Sequence, residues 1–324
     1  MRPDVKQAVE LLQQNDPKSL EEALALLQNT VFSFSMKVCG QRQDAEDTMQ
    51  EVLLKSVSQL PKFDSPRALA VWLYKVAKNR CLMSRRKSKF APKENLSLES
   101  LMPGRRELES FSEKTRKTPE TSLLHHENAK LVRQAVQKLP PEYRLILVLH
   151  DMEELSDTEV AEITGLRPGT IRVRLHRARL FVRKELAMHN GQRPARLLRK
   201  ITAGPVSAAP SRQPQGEQAK TALESASVPG QGRCKAMFAE LSNYLDDELD
   251  DSLCEELEKH MENCRPCQAF LSTLEQSIEQ CRHAPDELPD PRVAAAIRRD
   301  VLAKYQETLA SLAKNRKNRN TGSL

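Results

Sequence analysis

Aromatic residues are scarce in this chain, 4% of 324 positions, while 29% of positions are charged. That composition argues against one large core and fits several small helical units with modest cores. No apolar run approaches the roughly 20 residues needed to span a bilayer, and the N-terminus has neither the apolar core nor the cleavage site of a signal peptide. The chain therefore reads as soluble and cytoplasmic, with no membrane partner. Its ten glycines are scattered and make no phosphate-cradling loop, and no grouping of serine, histidine and carboxylate, nor an open metal site, suggests an enzyme. No internal repeat and no strand-like segment stands out.

Charge is unevenly placed. The formal balance is +7, but Cys234 to Cys281 holds twelve acidic against three basic residues, so that span carries −9 and the remainder +16. A basic body suits a polyanion such as nucleic acid, and an acidic appendage can compete for the same surface. Of seven cysteines, five fall between Cys234 and Cys281, a clustering that favours metal over disulfides in a chain without an export signal. Cys39 and Cys81 sit in apolar helical patterns and are expected simply to be buried.

Helix signals are frequent. Ser19-Leu20-Glu21-Glu22 has the form of a capping box, and the helix it opens should end near Gly40. A second helix is expected from Asp44 to about Leu60. A third should start at Ser65-Pro66 and bury Leu69, Trp72, Leu73 and Val76. From Ser84 to about Lys117 the chain turns polar and basic without apolar periodicity, which predicts a flexible linker. Pro140-Pro141 opens a further helix, Ser156-Asp157-Thr158-Glu159 is another capping box, Gly165 closes its helix and Pro168 opens the next. The Pro/Ala/Gly/Ser/Gln-rich stretch from about Gly191 to Gly232 predicts a second, disordered linker. Val293, Ile297, Val301, Tyr305, Leu309 and Leu312 make an amphipathic stripe, followed by a basic tail expected to be disordered.

Thr158 to Phe181 has the form of a helix-turn-helix, whose second helix can lie in a major groove. Between Arg167 and Lys184 there are seven Lys/Arg and no acid. Ile171, Leu175 and Ala178 should face inward, while Arg172, Val173, Arg174, His176 and Arg177 fan outward. Arginine can bond two acceptors of guanine at once, worth about 1–3 kcal/mol of discrimination per pair, and other basic groups can hold phosphates. A basic surface helix on an ordinary bundle is the plain alternative.

Three motif sets carry a resemblance to a known family. Leu139-Pro140-Pro141-Glu142-Tyr143-Arg144, Glu159-Val160-Ala161-Glu162-Ile163 and Gly169 to Arg179 resemble region 4 of extracytoplasmic-function (ECF) sigma factors. That resemblance implies reading of the promoter −35 element by Thr170, Arg172, Arg174 and Arg177. Asp44-Ala45-Glu46-Asp47-Thr48-Met49-Gln50-Glu51 resembles region 2.2, which implies docking on the clamp helices of the RNA polymerase β′ subunit through Asp44, Asp47, Gln50 and Glu51. Trp72 to Leu82 resembles regions 2.3 and 2.4, which open and read the −10 element. Asn79 is then the leading base reader, with Lys75, Lys78, Arg80, Arg85 and Arg86 along the single strand. The sequence has Met83 where many family members carry Asp.

The third set is H-x3-C-x2-C, His260, Cys264 and Cys267, with Cys234 upstream and 25 residues intervening before the histidine. Four such ligands suit a closed, tetrahedral, structural Zn2+ site. Cys254 and Cys281 are alternatives to Cys234, and zinc-bound thiolates can also serve as redox sensors. Cys234 to Phe270, including Leu241 to Leu249, resembles the zinc-binding anti-sigma domain, which implies intramolecular docking and control in cis.

The expected architecture is all-α. It comprises sigma region 2 (1–86), a flexible linker (87–118), sigma region 4 with its helix-turn-helix (119–190), a disordered linker (191–232), the zinc-binding domain (233–283), and an amphipathic helix with a basic tail (284–324). The expected function is promoter-specific initiation with core RNA polymerase. A stand-alone zinc-containing DNA-binding repressor, distinguished by having no use for the Asp44–Glu51 face, and a zinc-dependent interaction module are the competing readings.

Overall fold

The computed structural model describes residues 3–14, 16–60, 63, 65–85, 96–103, 122–191, 240–241, 244–246 and 249–320, with the backbone alone at 83–85, 122–128, 189–191 and 308–320. Every regular element among these residues is helical. No described helix is long and apolar enough to cross a membrane.

The N-terminal unit packs α1 (Pro3–Leu12), α2 (Pro17–Cys39), α3 (Arg42–Ser56) and α4 (Pro66–Arg85) around Leu24, Leu27, Val31, Phe34, Met49, Leu53, Leu69 and Leu73. α1 carries no strong sequence signal, because the residues it buries are only Val5, Ala8 and Val9. α2 starts earlier than its Ser19 motif suggests. Asp16, followed by Pro17 at the first helical position, accepts from the Lys18 and Ser19 amides at 2.9 and 3.0 Å, and Ser19 instead donates its hydroxyl hydrogen to Gln14. α3 opens at Arg42, two residues before the expected Asp44, and ends at Ser56. Trp72 is only half-buried, against Phe63 at 5.7 Å between ring centroids. Cys39 and Cys81 are buried, as expected, but are also joined by a disulfide that ties the last residue of α2 to α4.

α5 (Leu98–Leu101) is a single turn inside the stretch expected to be a flexible linker. It is docked, because Leu96, Leu98, Leu101 and Met102 give it enough apolar surface to find a partner. The second unit comprises α6 (Ser122–Lys138), α7 (Pro141–Leu147), a π-helical turn (Val148–Met152), α8 (Asp157–Thr164) and α9 (Pro168–Gly191). The Ser156–Glu159 capping box forms in full, and α8 ends on Gly165 at φ 74°, the left-handed C-cap that glycine adopts without penalty. C-terminal to these lie α10 (Asp251–Asn263), α11 (Arg265–Arg282) and α12 (Pro291–Asn320). α12 continues through the basic stretch expected to be disordered, as far as Asn320.

The first two units share one continuous core, which Cys281, Ile297 and Val301 also enter. Polar contacts lock the junction. Of the last carbonyls of α2, Met36 O accepts from the Gly40 amide at 3.0 Å, and those beyond it have run out of helix. Gln137 of α6 donates to Met36 O and Lys37 O at 3.0 and 2.9 Å, and Arg144 of α7 donates to Val38 O at 3.1 Å. Gly40, at φ 74°, lies beneath them, and a Cβ there would sit 2.2 Å from Gln137 Oε1. Gly40→Ala therefore meets a left-handed backbone penalty and displaces the Gln137 cap. Together these are expected to destabilise the full chain by about 2–4 kcal/mol in denaturant unfolding. A loss under about 1 kcal/mol would mean that the cap carries no weight.

Candidate DNA and polymerase surfaces and a candidate metal centre

The residues expected to read the −10 element lie along α4. Asn79 and Lys75 are exposed, and Arg80 pairs with Glu51 at 3.0 Å. Lys78 is not open to solvent in the same way. Its ammonium donates to Ile163 O at 2.6 Å, at the carbonyl end of α8, where the helix dipole favours a cation. Burial, helped by Lys75 nearby, pushes its pKa below the ordinary lysine value. A second bridge, Arg67 to Glu159 at 3.2 Å, joins the same two elements, so the first helix of the helix-turn-helix rests on α4. The Arg85 side chain and Arg86 lie outside the described residues.

Of the residues expected to meet the β′ subunit, Asp47 and Gln50 are exposed, and Asp44 and Glu51 are half-buried. Bonding to Lys55, reinforced by Arg80, holds the Glu51 carboxyl below the usual range. Asp47, Gln50 and Glu51 line one open cleft of about 500 Å³, and its other wall includes Lys304 of α12, which packs across α2 and α3. Asp44 does not line that cleft.

On α9 the two ends differ. Thr170 and Val173 are exposed, Arg172 is held by Asp157 at 3.1 Å, Arg174 by Glu142 at 2.7 Å, and Arg177 donates to Leu96 O at 3.2 Å. His176, expected on the outward fan, is instead buried, and neither ring nitrogen has a hydrogen-bond partner. Burial, with Arg179 and Arg177 adding to it, pushes its pKa down to about 4. The neutral ring suits the fold, whereas the unfolded chain takes up a proton below about pH 6.5. Stability from this group is thus complete above pH 6.5 and is lost as pH falls towards 4. Taking the full chain from pH 7 to pH 4.5 should cost about 2–3 kcal/mol through His176 alone. Denaturant unfolding of His176→Leu should lack that component; identical pH profiles would refute it.

His260 Nε2 and Cys267 Sγ lie 3.2 Å apart, as do the sulfurs of Cys264 and Cys267, and the three donor atoms fall within 4.8 Å of one another. The chain itself builds this convergence: α10 ends at Asn263, Cys264 forms the corner, and Pro266 lies in the first turn of α11. One imidazole and two thiolates fit zinc, with room for one more ligand. Cys234 lies outside the described residues. Cys281 is no alternative to it, because its thiol sits in the main core beside Asp151 and Arg179, where burial raises its pKa. Cys254 is half-buried on α10 and does not join the cluster.

Several residues at the junctions carry no obvious sequence signal. Glu153 is completely buried and accepts from Lys37 Nζ at 3.0 Å and Tyr74 Oη at 2.7 Å. Asp286 accepts from the same ammonium at 2.9 Å and from the Ser33 hydroxyl at 2.6 Å. The recognition helix also buries Arg179 and Arg183 against the C-terminal unit.

A two-unit helical chain with an acidic-faced helix, a basic helix carrying an exposed Asn and a helix-turn-helix has the parts of a promoter-recognition factor. Comparison with known proteins agrees. Residues 24–90 match the family described as sigma-70 region 2, 129–182 match sigma-70, region 4, and 234–268 match a family described as "Putative zinc-finger". The ECF RNA polymerase sigma factor SigW of Bacillus subtilis is 27% identical over 184 residues, covering 56% of this chain and 96% of its own. RNA polymerase sigma-H factor of Pseudomonas aeruginosa is 27% identical over 186 residues, 56% of this chain and 93% of its own. The sigma factor RpoE of Bartonella quintana, solved with the anti-sigma factor NepR, matches 52% of this chain at 21% identity and TM-score 0.38. The chain thus carries regions 2 and 4 of the sigma-70 type, is similar over that part to ECF RNA polymerase sigma factors, and has a C-terminal segment of zinc-finger type. A match to region 2 has no place in a stand-alone repressor, so that reading falls.

Proposed function

We propose that this protein is a non-enzymatic initiation factor that directs core RNA polymerase to promoters, and that its C-terminal zinc-binding region holds it closed in cis until a signal releases it. In this reading residues 1–86 meet polymerase and the −10 element, 119–190 the −35 element, and 233–324 form the inhibitory part. Asn79 and Lys75, with Lys78 and Arg80, take the −10 strand; Thr170, Arg172, Arg174 and Arg177 take the −35 duplex; and Asp44, Asp47, Gln50 and Glu51 take the β′ clamp helices. Zinc would be structural, held by His260, Cys264 and Cys267 with Cys234 as fourth ligand, and oxidation of those thiols is one route of release.

The observation that carries the closed-state reading is the bond from Lys78 to Ile163 O. Elements named −10 and −35 lie about 25 base pairs apart, about 85 Å of duplex at 3.4 Å per pair. A −10 helix in contact with the helix-turn-helix cannot serve both elements at once. α12 across α2 and α3, with Lys304 beside Asp47, Gln50 and Glu51, adds an obstacle at the polymerase face.

The test is transcription in vitro with core polymerase, comparing the full chain with residues 1–191, a length close to that of the related sigma factors. The shorter form should initiate more strongly. Equal output from both would remove the inhibitory role, and no initiation from either would remove the sigma assignment.

A further inference from the structure

We propose that Asp246 is the specificity residue of the zinc-binding region, and that it docks by adding a second carboxylate to the guanidinium of Arg179 in the recognition helix. The proposal rests on the closed-state reading above.

Arg179 is 1% exposed and Asp151, on the π-helical turn, 0%. Arg179 donates through Nε and Nη2 to the two oxygens of Asp151, at 2.9 and 2.7 Å. That edge of the guanidinium belongs to the helix-turn-helix unit itself and ties α9 to the turn before it. The opposite edge, Nη1 and Nη2, donates to the two oxygens of Asp246 at 2.7 and 2.9 Å. Four of the five N–H groups of one buried arginine are thus divided between two carboxylates, each bound in the paired geometry that guanidinium favours. Burial alone would disfavour charge here. The arginine nevertheless keeps the Asp151 carboxyl far below the usual range, and the two carboxylates together raise the pKa of Arg179.

The arrangement discriminates. Asp151 and Arg179 are neutral as a pair, so an apolar partner could cover them only by leaving the Nη edge unbonded, and a basic partner would be repelled. Only an acid at the position of Asp246 completes the site, which is recognition by exclusion as much as by attraction. One turn along α9, the Arg183 guanidinium lies 4.1 Å over the ring of Phe270, and Leu180 between them enters the core formed by Phe270, Leu274 and the ligand Cys267. The zinc-binding region thus grips the rear half of the recognition helix, and Thr170 and Val173 at its front stay exposed. Region 4 is held through Leu180, Arg179 and Arg183, apart from the residues proposed to take the −35 duplex.

The test uses the full zinc-loaded chain with Asp246→Asn, and Glu255→Gln on the exposed face of α10 as a charge control. Three quantities are read: zinc content, hydrogen exchange across α9 and α11, and transcription with core polymerase. Asp246→Asn should keep its zinc, exchange faster at both helices, and raise output about tenfold or more, the scale expected when one partner leaves a buried charge pair. Glu255→Gln should match wild type. If Asp246→Asn exchanges and transcribes like wild type while residues 1–191 are released, the latch is wrong and the closed-state reading survives. If residues 1–191 are no more active than the full chain, that reading fails and takes the latch with it. Should Asp246→Asn lose zinc, Arg179→Lys decides, since it keeps the charge, lacks the paired geometry and leaves the zinc region untouched. Release by Arg179→Lys supports the latch, and its absence overturns it.

Discussion

Stripping zinc from the full chain before polymerase is added should raise initiation to the level of residues 1–191. The described C-terminal unit buries little of its own: Leu241, Leu257, Cys267, Phe270, Leu274 and Ile278, completed by Leu101 and Leu180 from elsewhere in the chain. Six buried side chains are too few to hold a small unit together without a staple. The metal would provide one, since apparent binding energies for structural zinc are about 10–16 kcal/mol at pH 7. Cys267 is both a candidate ligand and a member of this core, so losing the ion also removes the surface on which Leu180 and Arg183 rest. Chelation followed by desalting, with metal content measured on the same sample, keeps the polymerase's own ions out of the comparison. Cys267→Ser should act like chelation, and residues 1–191 should ignore both treatments. A metal-free full chain that remained silent would mean that α12 or the interdomain contacts suffice for closure.

The sequence revealed most where structure is set by neighbours within one turn. The Ser156–Glu159 box, the Gly40 and Gly165 stops, the Pro66 and Pro168 starts and the α12 stripe from Val293 to Tyr305 are all local and all form, while the side chains of Leu309 and Leu312 lie outside the described residues. The His260–Cys264–Cys267 cluster follows from helical spacing plus a corner, so it too was legible. Failures came where partners lie far along the chain. Periodicity placed His176 outward, but α9 packs against α5, α6, α7, α8 and α11, so few of its sides are left open. Arg179 and Arg183 gave no sign of being buried, because their partners Asp246 and Phe270 lie more than sixty residues away. The Cys39–Cys81 bond spans 42 residues and depends on how α2 meets α4, which no local pattern reports. The cap of α2 misled for a different reason: Asp16 and Ser19 are both good caps, and Pro17 decides between them.

Glu153→Gln should open the junction between regions 2 and 4 with little effect on either unit alone. The carboxylate belongs to region 4, and its partners Lys37 and Tyr74 belong to region 2, where Tyr74 packs on Phe34 at 4.8 Å between ring centroids. When the regions separate, each of these groups meets water, so the substitution acts on the closed state almost exclusively. Glutamine keeps the size and can still accept from Tyr74, but it leaves the Lys37 ammonium, 9% exposed, with Asp286 as its one remaining carboxylate in this contact. Removing one member of a buried pair typically costs about 3–5 kcal/mol, and the Asp286 contact should hold the loss near the lower end. A shift of about 3 kcal/mol is more than a hundredfold in the balance of closed and open forms. X-ray scattering should show a larger radius of gyration, and transcription by the full chain should rise. Lys37→Met on the Glu153→Gln background should add far less than it does alone, because both substitutions break the same contact. Strictly additive effects, or a compact and silent Glu153→Gln protein, would place the hold on region 4 entirely in the C-terminal unit.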